Sequence, residues 1–374
     1  MNAIILGWFG EKNIGDDLIL RASLNILQKN KNIENIYVAS NQKVTGNFKW
    51  IYDHDFSLKS YGKLFLRGNI IESLKAWNSS DLIIFSVGGG VSDWNKEVMT
   101  RLIRKIKFYK FLNKKIIFLG VGAGPFVGNY EKSKISNIFN LVDAFLVRDK
   151  TSYTNLKEIG VENVVLTNDV VFELDKIVES NLNLNEKEIV YIPVPLFYND
   201  LWIDNESKLK EYLNSVRESL LKLSSNGYKI TIIPFQKEFD NKYFLEYIND
   251  LINNENIDIF NYNSYDEVYK RLNECKMIIN SRFHGLVLST IFNKPSISIV
   301  YDHKMNDLLK AIGTEETALD VGDGVNWKDN IFSSEEVVSK VRYVLQNYEE
   351  IKRKNKKYTN EAKLNSEELK FINV

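Results

Sequence analysis

The feature that most constrains the fold of this chain is a regular alternation of short apolar runs with longer amphipathic segments. Helix-like segments, for example 16–29, 95–113 and 150–159, separate the runs. The apolar runs of the first half are 3–9, 36–39, 82–87, 115–120, 144–147 and 164–166. Short, continuously apolar runs separated by helices are typical of buried parallel strands in a doubly wound sheet.

A polar stretch at 175–188 (DKIVESNLNLNEKE) interrupts this alternation. Further apolar runs follow at 189–193, 230–234, 257–260, 277–279 and 296–300. We therefore predict an α/β protein with an N-terminal domain at 1–180, a C-terminal domain at 186–335 and a helical segment at 336–374. Because ligands of such sheets bind outside the carboxyl ends of the strands, we expect two parallel sheets that face each other across a ligand-binding cleft.

The composition excludes some classes of function. The 374 residues include 49 basic and 49 acidic side chains, so we expect no nucleic-acid binding. A single cysteine, Cys275, allows no internal disulfide and fits the reducing cytoplasm. The chain starts MNAIILGWFG, without a basic region, and has no run of eighteen apolar residues, so we expect neither a signal peptide nor a membrane span. Nor do His, Cys and carboxylate residues occur at metal-ligand spacing, which predicts that no metal is bound.

Polar and glycine residues follow the first predicted strand. Gly10 and Gly15 have the spacing of a phosphate loop, but Asp16 and Asp17 follow where that loop has Lys and Ser or Thr. One interpretation makes Asp16 the N-cap of the next helix, with Asp17 in its first turn. The other gives the Asp16 carboxylate a polar role in the cleft.

Glycines also follow the third and fourth predicted strands. Gly88, Gly89 and Gly90 allow a ligand to approach the backbone closely and expose amide groups, although a tight turn needs glycine too. The later sequence LGVGAGP lacks the spacing of a dinucleotide fingerprint, which excludes a nicotinamide site.

Cations follow the later strands. Arg148 ends the fifth predicted strand and either binds a ligand or forms a local ion pair with Asp149. In the sequence SRFHG, Arg282 offers a planar fork for an anion and His284 can donate a proton near neutral pH, unless the pair only forms a capping turn. Lys304 follows the next strand and either converges with them or is exposed. His54, which is flanked by two aspartates, indicates a surface turn.

The motifs GEKNIGDD, GGG, GVGAGP, VRDKTS, SRFHG and VYDHK occur in the order seen in the polysaccharide pyruvyl transferases, a family that the chain resembles over about residues 1–310. The most specific part is the Ser-Arg-x-His-Gly turn followed by Tyr-Asp-x-Lys. There are two departures from the family pattern. Phe283 replaces a usually smaller aliphatic residue, and Val170 and Val171 follow Asp169 where Pro or Ala is common.

The resemblance implies two Rossmann-like domains similar to those of glycosyltransferase-B enzymes. It also implies transfer of the pyruvyl group of phosphoenolpyruvate to sugar hydroxyls, usually as a cyclic ketal. His284 would be the acid, and Asp16 matches the acidic position of the N-terminal loop and would be the base. Donor-binding cations would be Arg148, Arg282 and Lys304. Further substrate contacts would come from Asn13, Gly89, Gly90, Phe283 and Gly285. No cofactor is implied. The partner would be a saccharide acceptor, cell-surface, capsular or lipid-linked.

Two other functions are compatible with this architecture. A nucleotide-sugar glycosyltransferase would account for Glu238 and Glu246, which are spaced as in some such enzymes. The second alternative is a non-catalytic saccharide-binding protein, and the presence of an arginine and a histidine at one turn argues against it.

The segment 101–115 (RLIRKIKFYKFLNKK) is a basic helix without an acidic residue. Its polar face is either solvated or in contact with an anionic membrane, which would make a cytoplasmic protein peripheral at the inner face.

Overall fold

The computed structural model describes residues 1–66, 70–128, 130–174, 184–198, 205–323, 326–362 and 364–372. The chain forms two compact units, one of Met1–Asp175 with Ala362–Val374 and one of Lys176–Glu361. Much of the predicted boundary stretch, residues 175–183, lies outside the described residues. The two units share the predicted helical segment 336–374, because its last part belongs to the first unit.

The first unit is built on a seven-stranded sheet in the order β3-β2-β1-β4-β5-β6-β7, in which every pair of neighbours is parallel. Its strands are β1 Asn2–Leu6, β2 Asn35–Ser40, β3 Lys49–Tyr52, β4 Leu82–Phe85, β5 Lys115–Val121, β6 Ala144–Val147 and β7 Val164–Leu166. Its first helices are α1 Ile14–Gln28, α2 Leu58–Leu66, α3 Ile70–Ser79, α4 Lys96–Phe111, α5 Lys132–Phe139 and α6 Lys150–Glu158.

Local sequence explains where these helices begin and what they bury. The Asn13 side chain accepts a hydrogen bond from the Gly15 amide, and Asn95 caps α4 in the same way. In α4 the buried residues Met99, Leu102, Ile106 and Tyr109 recur every three or four positions. That spacing gives the helix one apolar face, which packs on the sheet.

The second unit repeats this architecture with a six-stranded parallel sheet in the order β10-β9-β8-β11-β12-β13. Its strands are β8 Asn185–Ile192, β9 Lys229–Ile232, β10 Ile257–Ile259, β11 Cys275–Asn280, β12 Ser296–Val300 and β13 Ala318–Asp320. Its helices are α7 Glu206–Ser225, α8 Lys237–Asp240, α9 Tyr265–Glu274, α10 Phe283–Ile291, α11 His303–Ile312, α12 Ser334–Gln346 and α13 Tyr348–Glu361. The last helix, α14 Asn365–Phe371, packs on the first unit.

The structure confirms the predicted fold class of two parallel α/β sheets. The strands that the sequence did not predict are β3 and β13, which lie at sheet edges and are four and three residues long. In each sheet the strand order reverses at one point, between β1 and β4 in the first unit and between β8 and β11 in the second. Crevices at such switch points are the usual ligand sites of open α/β sheets.

Candidate active site

The turn Ser281–Arg282 follows β11 at the switch point of the second unit. The Ser281 amide donates to the carbonyl oxygen of Ile192, the last residue of the neighbouring strand β8, over 2.9 Å. Arg282 then has extended backbone geometry and is the N-cap residue of α10. The turn is therefore fixed to both strands that border the crevice, and the first amide groups of α10 follow directly.

The Arg282 guanidinium is held by two acceptors from other parts of the unit. Its Nε donates to the carbonyl oxygen of Pro193 over 2.9 Å, and its Nη2 donates to the carboxylate of Asp240. Asp240 ends the short helix α8 and is completely buried. Burial raises the pKa of Asp240, an effect that the nearby Arg282 charge opposes. Sequence reasoning missed Asp240, because it precedes Arg282 by 42 residues and has no motif around it.

A group of buried hydroxyls supports the same turn. The Ser281 hydroxyl lies 3.4 Å from the Tyr191 hydroxyl and 3.3 Å from that of Tyr212, and the two tyrosine oxygens are 3.4 Å apart. Burial raises the pKa of Tyr212 to about 12. All three groups therefore stay neutral near pH 7 and act as hydrogen-bonding anchors. Tyr191 lies inside an apolar strand, where its sequence context gives no hint of this role.

His284 lies in the first turn of α10, two residues after Arg282. It is partly buried, and its ring centroid lies 5.4 Å from that of Phe283 in an edge-to-face arrangement. Phe283 itself is buried, so the bulky residue at this position packs inside the unit and fixes one side of the histidine ring.

Gly285 has a packing role that explains why the motif ends in glycine. A Cβ at this position would lie 2.9 Å from the Cβ of Asn280 and 3.1 Å from the Cδ1 of Ile192. Both distances are too short for a side chain without movement of the helix. The glycine thus lets α10 start close against the two strands, which sets the positions of Arg282 and His284.

Lys304 lies in the first turn of α11, after β12 of the same sheet. Asp302 caps α11, and its carboxylate accepts from the Lys304 amide over 3.1 Å and from Nζ over 2.7 Å. Lys304 and His303 lower the pKa of Asp302, although its burial has the opposite effect. Burial raises the pKa of Tyr301, while Lys304 and Arg282 both oppose that rise, so the two cations act on one buried hydroxyl.

The N-terminal loop lies in the first unit and differs from one interpretation of its sequence. Asn13 is the N-cap residue of α1, and Asp16 and Asp17 both fall in the first turn, so the interpretation that makes Asp16 the cap is wrong. An asparagine three residues earlier supplies the acceptor that the exposed helix amides need. Asp17 Oδ1 accepts from the Gly10 amide over 3.1 Å, which closes the loop. Asp16 is the neighbouring, partly buried carboxylate.

Arg148 is buried beneath the glycine loop that follows β4. Its Nη1 donates to Asp169 Oδ2 over 2.9 Å, and its Nε lies 3.8 Å from Asp149 Oδ2. A Cβ at Gly122 would lie 3.2 Å from Arg148 Nη2, and one at Gly89 would lie 3.6 Å from the same atom. The absence of a side chain at Gly122 therefore makes room for the guanidinium, whereas a Cβ at Gly89 would be at ordinary contact distance. Asp169 holds the guanidinium in place.

The structure also shows the environments of His54, Glu238 and Glu246, which the sequence analysis singled out. His54 does not lie in a surface turn, as the sequence indicated, because it is 2% exposed. Its Nδ1 accepts from the Phe56 amide over 2.9 Å, and aromatic rings of Phe56, Tyr61 and Trp77 surround it. Tertiary packing thus overrides the polar sequence around it. Glu238 and Glu246 are both exposed.

The basic residues of this helix have acidic partners, one on the helix itself and the others elsewhere in the fold. Lys105 pairs with Asp53 and Lys110 with Asp143, while Arg101 contacts Glu97 and Asp55. Lys114 and Lys115 donate to the carbonyl oxygens of Asn78 and Ile372. Within α4, the exposed residues of the basic segment are Arg104, Lys107 and Phe111, and Lys96 and Glu97 are exposed in the first turn. No helix in the described ranges is both long and apolar enough to cross a membrane.

Comparison with solved structures identifies the fold class. The UDP-GlcNAc 2-epimerase from Methanocaldococcus jannaschii is similar over 91% of each chain, with a TM-score of 0.56 and 14% identity. The UDP-GlcNAc 2-epimerase from Neisseria meningitidis, bound to UDP-GlcNAc, covers 98% of this chain and 95% of its own, with a TM-score of 0.57 and 12% identity. A glycosyltransferase from Rickettsia africae has a TM-score of 0.57 at 13% identity, over 99% of this chain and 97% of its own. These similarities show a fold of the glycosyltransferase-B class.

Sequence comparison identifies the family. The amylovoran biosynthesis protein AmsJ of Erwinia amylovora is 34% identical over 77 residues, which are 21% of this chain and 17% of that protein. Residues 13–303 match the family description of polysaccharide pyruvyl transferases. That range includes the N-terminal loop from Asn13 onward, Arg148 and the whole Ser281–Gly285 turn. The chain therefore belongs to the polysaccharide pyruvyl transferase family.

Proposed function

We propose that this protein transfers the pyruvyl group of phosphoenolpyruvate to hydroxyls of a cell-surface or capsular saccharide, forming a pyruvate ketal and releasing phosphate. The observation that carries the proposal is the Arg282 guanidinium, oriented by Pro193 and the buried Asp240, at a switch point beside His284. Membership of the polysaccharide pyruvyl transferase family supports the proposal. The site also fits it, because pyruvyl transfer needs an anion-binding group and a proton donor together.

Arg282 is suited to hold the anionic donor. A guanidinium has five N–H donors, and Pro193 and Asp240 occupy two of them. The remaining donors can form a two-pronged contact with a carboxylate or phosphate. The N-terminal amides of α10 offer further donors for negative charge. Lys304 would add a point charge from the first turn of α11, where Asp302 positions its ammonium group.

The chemistry requires one group that gives a proton and one that takes a proton. Protonation of the methylene carbon by His284 would make the methyl group and leave positive character at C2. A sugar hydroxyl then bonds to C2, the C–O bond to phosphate breaks, and a second hydroxyl closes the ketal. The two hydroxyl protons are released, which restores the acid and protonates phosphate. Asp16 is our candidate for the base.

We further propose that the acceptor includes a lipid-linked precursor and that the protein contacts an anionic membrane through α4. The exposed Arg104, Lys107 and Phe111 support the contact, since basic and aromatic side chains together favour a lipid surface. Sedimentation with anionic vesicles should decrease at high salt and after the double substitution Arg104→Glu/Lys107→Glu. Equal sedimentation with neutral vesicles would contradict this part of the proposal.

The decisive experiment is an assay of the purified chain with phosphoenolpyruvate and a panel of saccharide acceptors. We expect phosphate release that depends on the acceptor, together with a ketal methyl signal in the NMR spectrum of the product. A parallel assay with UDP-GlcNAc tests the activity of the structural relatives. Turnover of the nucleotide sugar without any reaction of phosphoenolpyruvate would overturn the proposal.

A further inference from the structure

The first unit contains a cavity of about 70 Å³ at its own switch point, between β1 and β4. Gly7 follows β1, Asn41 follows β2, Asp53 follows β3 and Gly90 lies after β4. Helix α4 closes the cavity from the side. Strands β1, β2, β3 and β4 thus all contribute residues to one crevice, which is the arrangement expected of a ligand site.

The charges that line this cavity already neutralise each other. Lys105 Nζ lies 2.5 Å and 2.7 Å from the two carboxylate oxygens of Asp53, and both side chains are largely buried. Arg101 contacts the carboxylates of Glu97 and Asp55. A phosphate would meet the Asp53 carboxylate here without an excess of positive charge. Hydroxyl groups suit the pair better, because they can donate to the carboxylate and accept from the ammonium group.

An aromatic side chain stands at the opening of the cavity. Trp8 lines it and is 46% exposed, which is unusual for a tryptophan two residues after a central strand. A Cβ at Gly90 would lie 3.5 Å from Trp8 Nε1, so the glycine keeps that edge of the indole clear. An exposed indole beside polar groups provides an apolar face for the C–H side of a ring and an N–H donor at its edge.

We propose that this cavity binds a neutral pyranose ring of the acceptor, with its hydroxyls at Asp53, Lys105 and Asn41 and its C–H face on Trp8. Its role as acceptor site rests on the proposed function, whereas the binding of a sugar ring does not. The sequence prediction that Gly90 contacts substrate then acquires a physical basis, distinct from that of Gly89, which packs on Arg148.

The test uses the full chain labelled with 5-fluorotryptophan and fluorine NMR, with Trp8→Phe to assign the Trp8 signal. Probes are methyl glycosides of hexoses and N-acetylhexosamines, with inorganic phosphate and UDP as anionic probes. We expect a glycoside to shift the Trp8 signal. Trp8→Ala lacks this signal, so its glycoside binding is measured by titration calorimetry. Trp8→Ala and Lys105→Met should each weaken the binding of that glycoside by about tenfold or more, which corresponds to about 1.4 kcal/mol.

Matched controls separate this site from general effects on the fold. Trp94 is 47% exposed and lies outside the cavity, so Trp94→Ala should leave glycoside affinity unchanged. Lys110 pairs with Asp143 on the same helix, so Lys110→Met should do the same. The proposal is overturned if no glycoside moves the Trp8 signal, or if UDP or phosphate moves it at lower concentration than any glycoside.

Kinetics separate the failure of this proposal from the failure of the proposed function. If the glycoside binds as expected but phosphoenolpyruvate is never consumed, the sugar site stands and the pyruvyl transfer does not. If transfer occurs and Trp8→Ala leaves the acceptor KM unchanged, the transfer stands and the sugar site is overturned. When both are correct, Trp8→Ala raises the acceptor KM about tenfold while the phosphoenolpyruvate KM stays within about twofold.

Discussion

Arg148 donates a hydrogen bond from Nη1 to Oδ2 of Asp169 over 2.9 Å, and both side chains are almost fully buried. Removal of one member of a buried ion pair leaves an uncompensated charge and typically costs about 3–5 kcal/mol. Arg148→Ala should therefore lower the free energy of urea unfolding by about this amount. Arg148→Met combined with Asp169→Asn should recover much of it, because the side-chain amide oxygen introduced by the second change can still accept from the Val171 amide.

This pair also decides how Arg148 can be tested as a donor-binding residue. The exposed pair Arg217–Asp250 is the control, and Arg217→Ala should change stability by less than about 1 kcal/mol. A raised phosphoenolpyruvate KM in the restabilised double variant would assign a donor contact to Arg148. Unchanged stability of Arg148→Ala would contradict the structural role of the pair.

His284→Ala should lower kcat by about 10²–10⁴, the usual contribution of a general acid, with a much smaller effect on phosphoenolpyruvate binding. His303→Ala is the matched control, because His303 also begins a helix after a strand of the same sheet and contacts Asp302. Single-turnover rates measure the chemical step directly. Full turnover of the His284 variant would remove this residue from the reaction.

Asp240→Asn should impair donor binding through Arg282, although Asp240 itself is buried away from solvent. Loss of a charged hydrogen bond costs about 1.5–3 kcal/mol, so the phosphoenolpyruvate KM should rise about tenfold or more. The acceptor KM should stay nearly constant. Arg282→Lys should raise the same KM, because lysine cannot form the two-pronged contact.

Glu238→Gln is the control for this series, since Glu238 lies on the same short helix α8 and is exposed. It should behave like the wild type. If Asp240→Asn lowered kcat for all substrates without a change in any KM, the orienting role of Asp240 would be refuted.

His54 predicts a pH dependence of stability that is separate from catalysis. Burial lowers its pKa from the usual value of 6.5, against the opposing effects of Asp55 and Asp53. As pH falls below 6.5, the unfolded chain gains this proton before the folded chain does. The contribution of His54 is therefore present above that pH and is lost as pH falls through the lowered pKa.

The measurement is the free energy of urea unfolding between about pH 5 and pH 8 for the wild type and His54→Asn. The asparagine retains an acceptor for the Phe56 amide but cannot titrate. The stability advantage of the wild type should be constant above about pH 6.5 and should shrink at lower pH. An advantage that does not change with pH would show that His54 is protonated equally in both states.

The parts of the fold that the sequence predicts best are those in which local pattern and tertiary structure agree. Interior strands such as β4 and β6 are continuously apolar because helices cover both faces of the sheet. The edge strand β13 has only three residues, and its pairing with β12 cannot be read from so short a pattern. His54 was wrongly expected to lie in a surface turn for a related reason. The neighbouring aspartates are a local feature of the sequence, whereas the packing of aromatic rings around His54 depends on the fold.

The residues of the candidate site also divide into those that the local sequence predicts and those that depend on tertiary structure. Arg282, His284 and Gly285 were predicted because residue type and position at a strand end are both local properties. Asp240 and Tyr212, which hold the same turn, come from helices far away in the sequence. Their positions depend on long-range contacts, and each alone resembles many ordinary buried residues. The Trp8 cavity escaped prediction because its lining residues come from four separate strand ends and one helix.

Helix α14 has a consequence for the order in which the protein can fold during synthesis. The Asn365 side chain donates to the carbonyl oxygen of Asn168 over 2.8 Å, and the Ser366 amide donates to the Glu173 carboxylate over 3.1 Å. Residues 176–361, the whole second unit, separate these partners along the chain. On the ribosome the first sheet must therefore wait, with Glu173 and Asn168 uncovered, until the second unit has been translated. Until α14 has been synthesised, the segment after β7 stays uncovered on the nascent chain, and incompletely packed units are prone to aggregate.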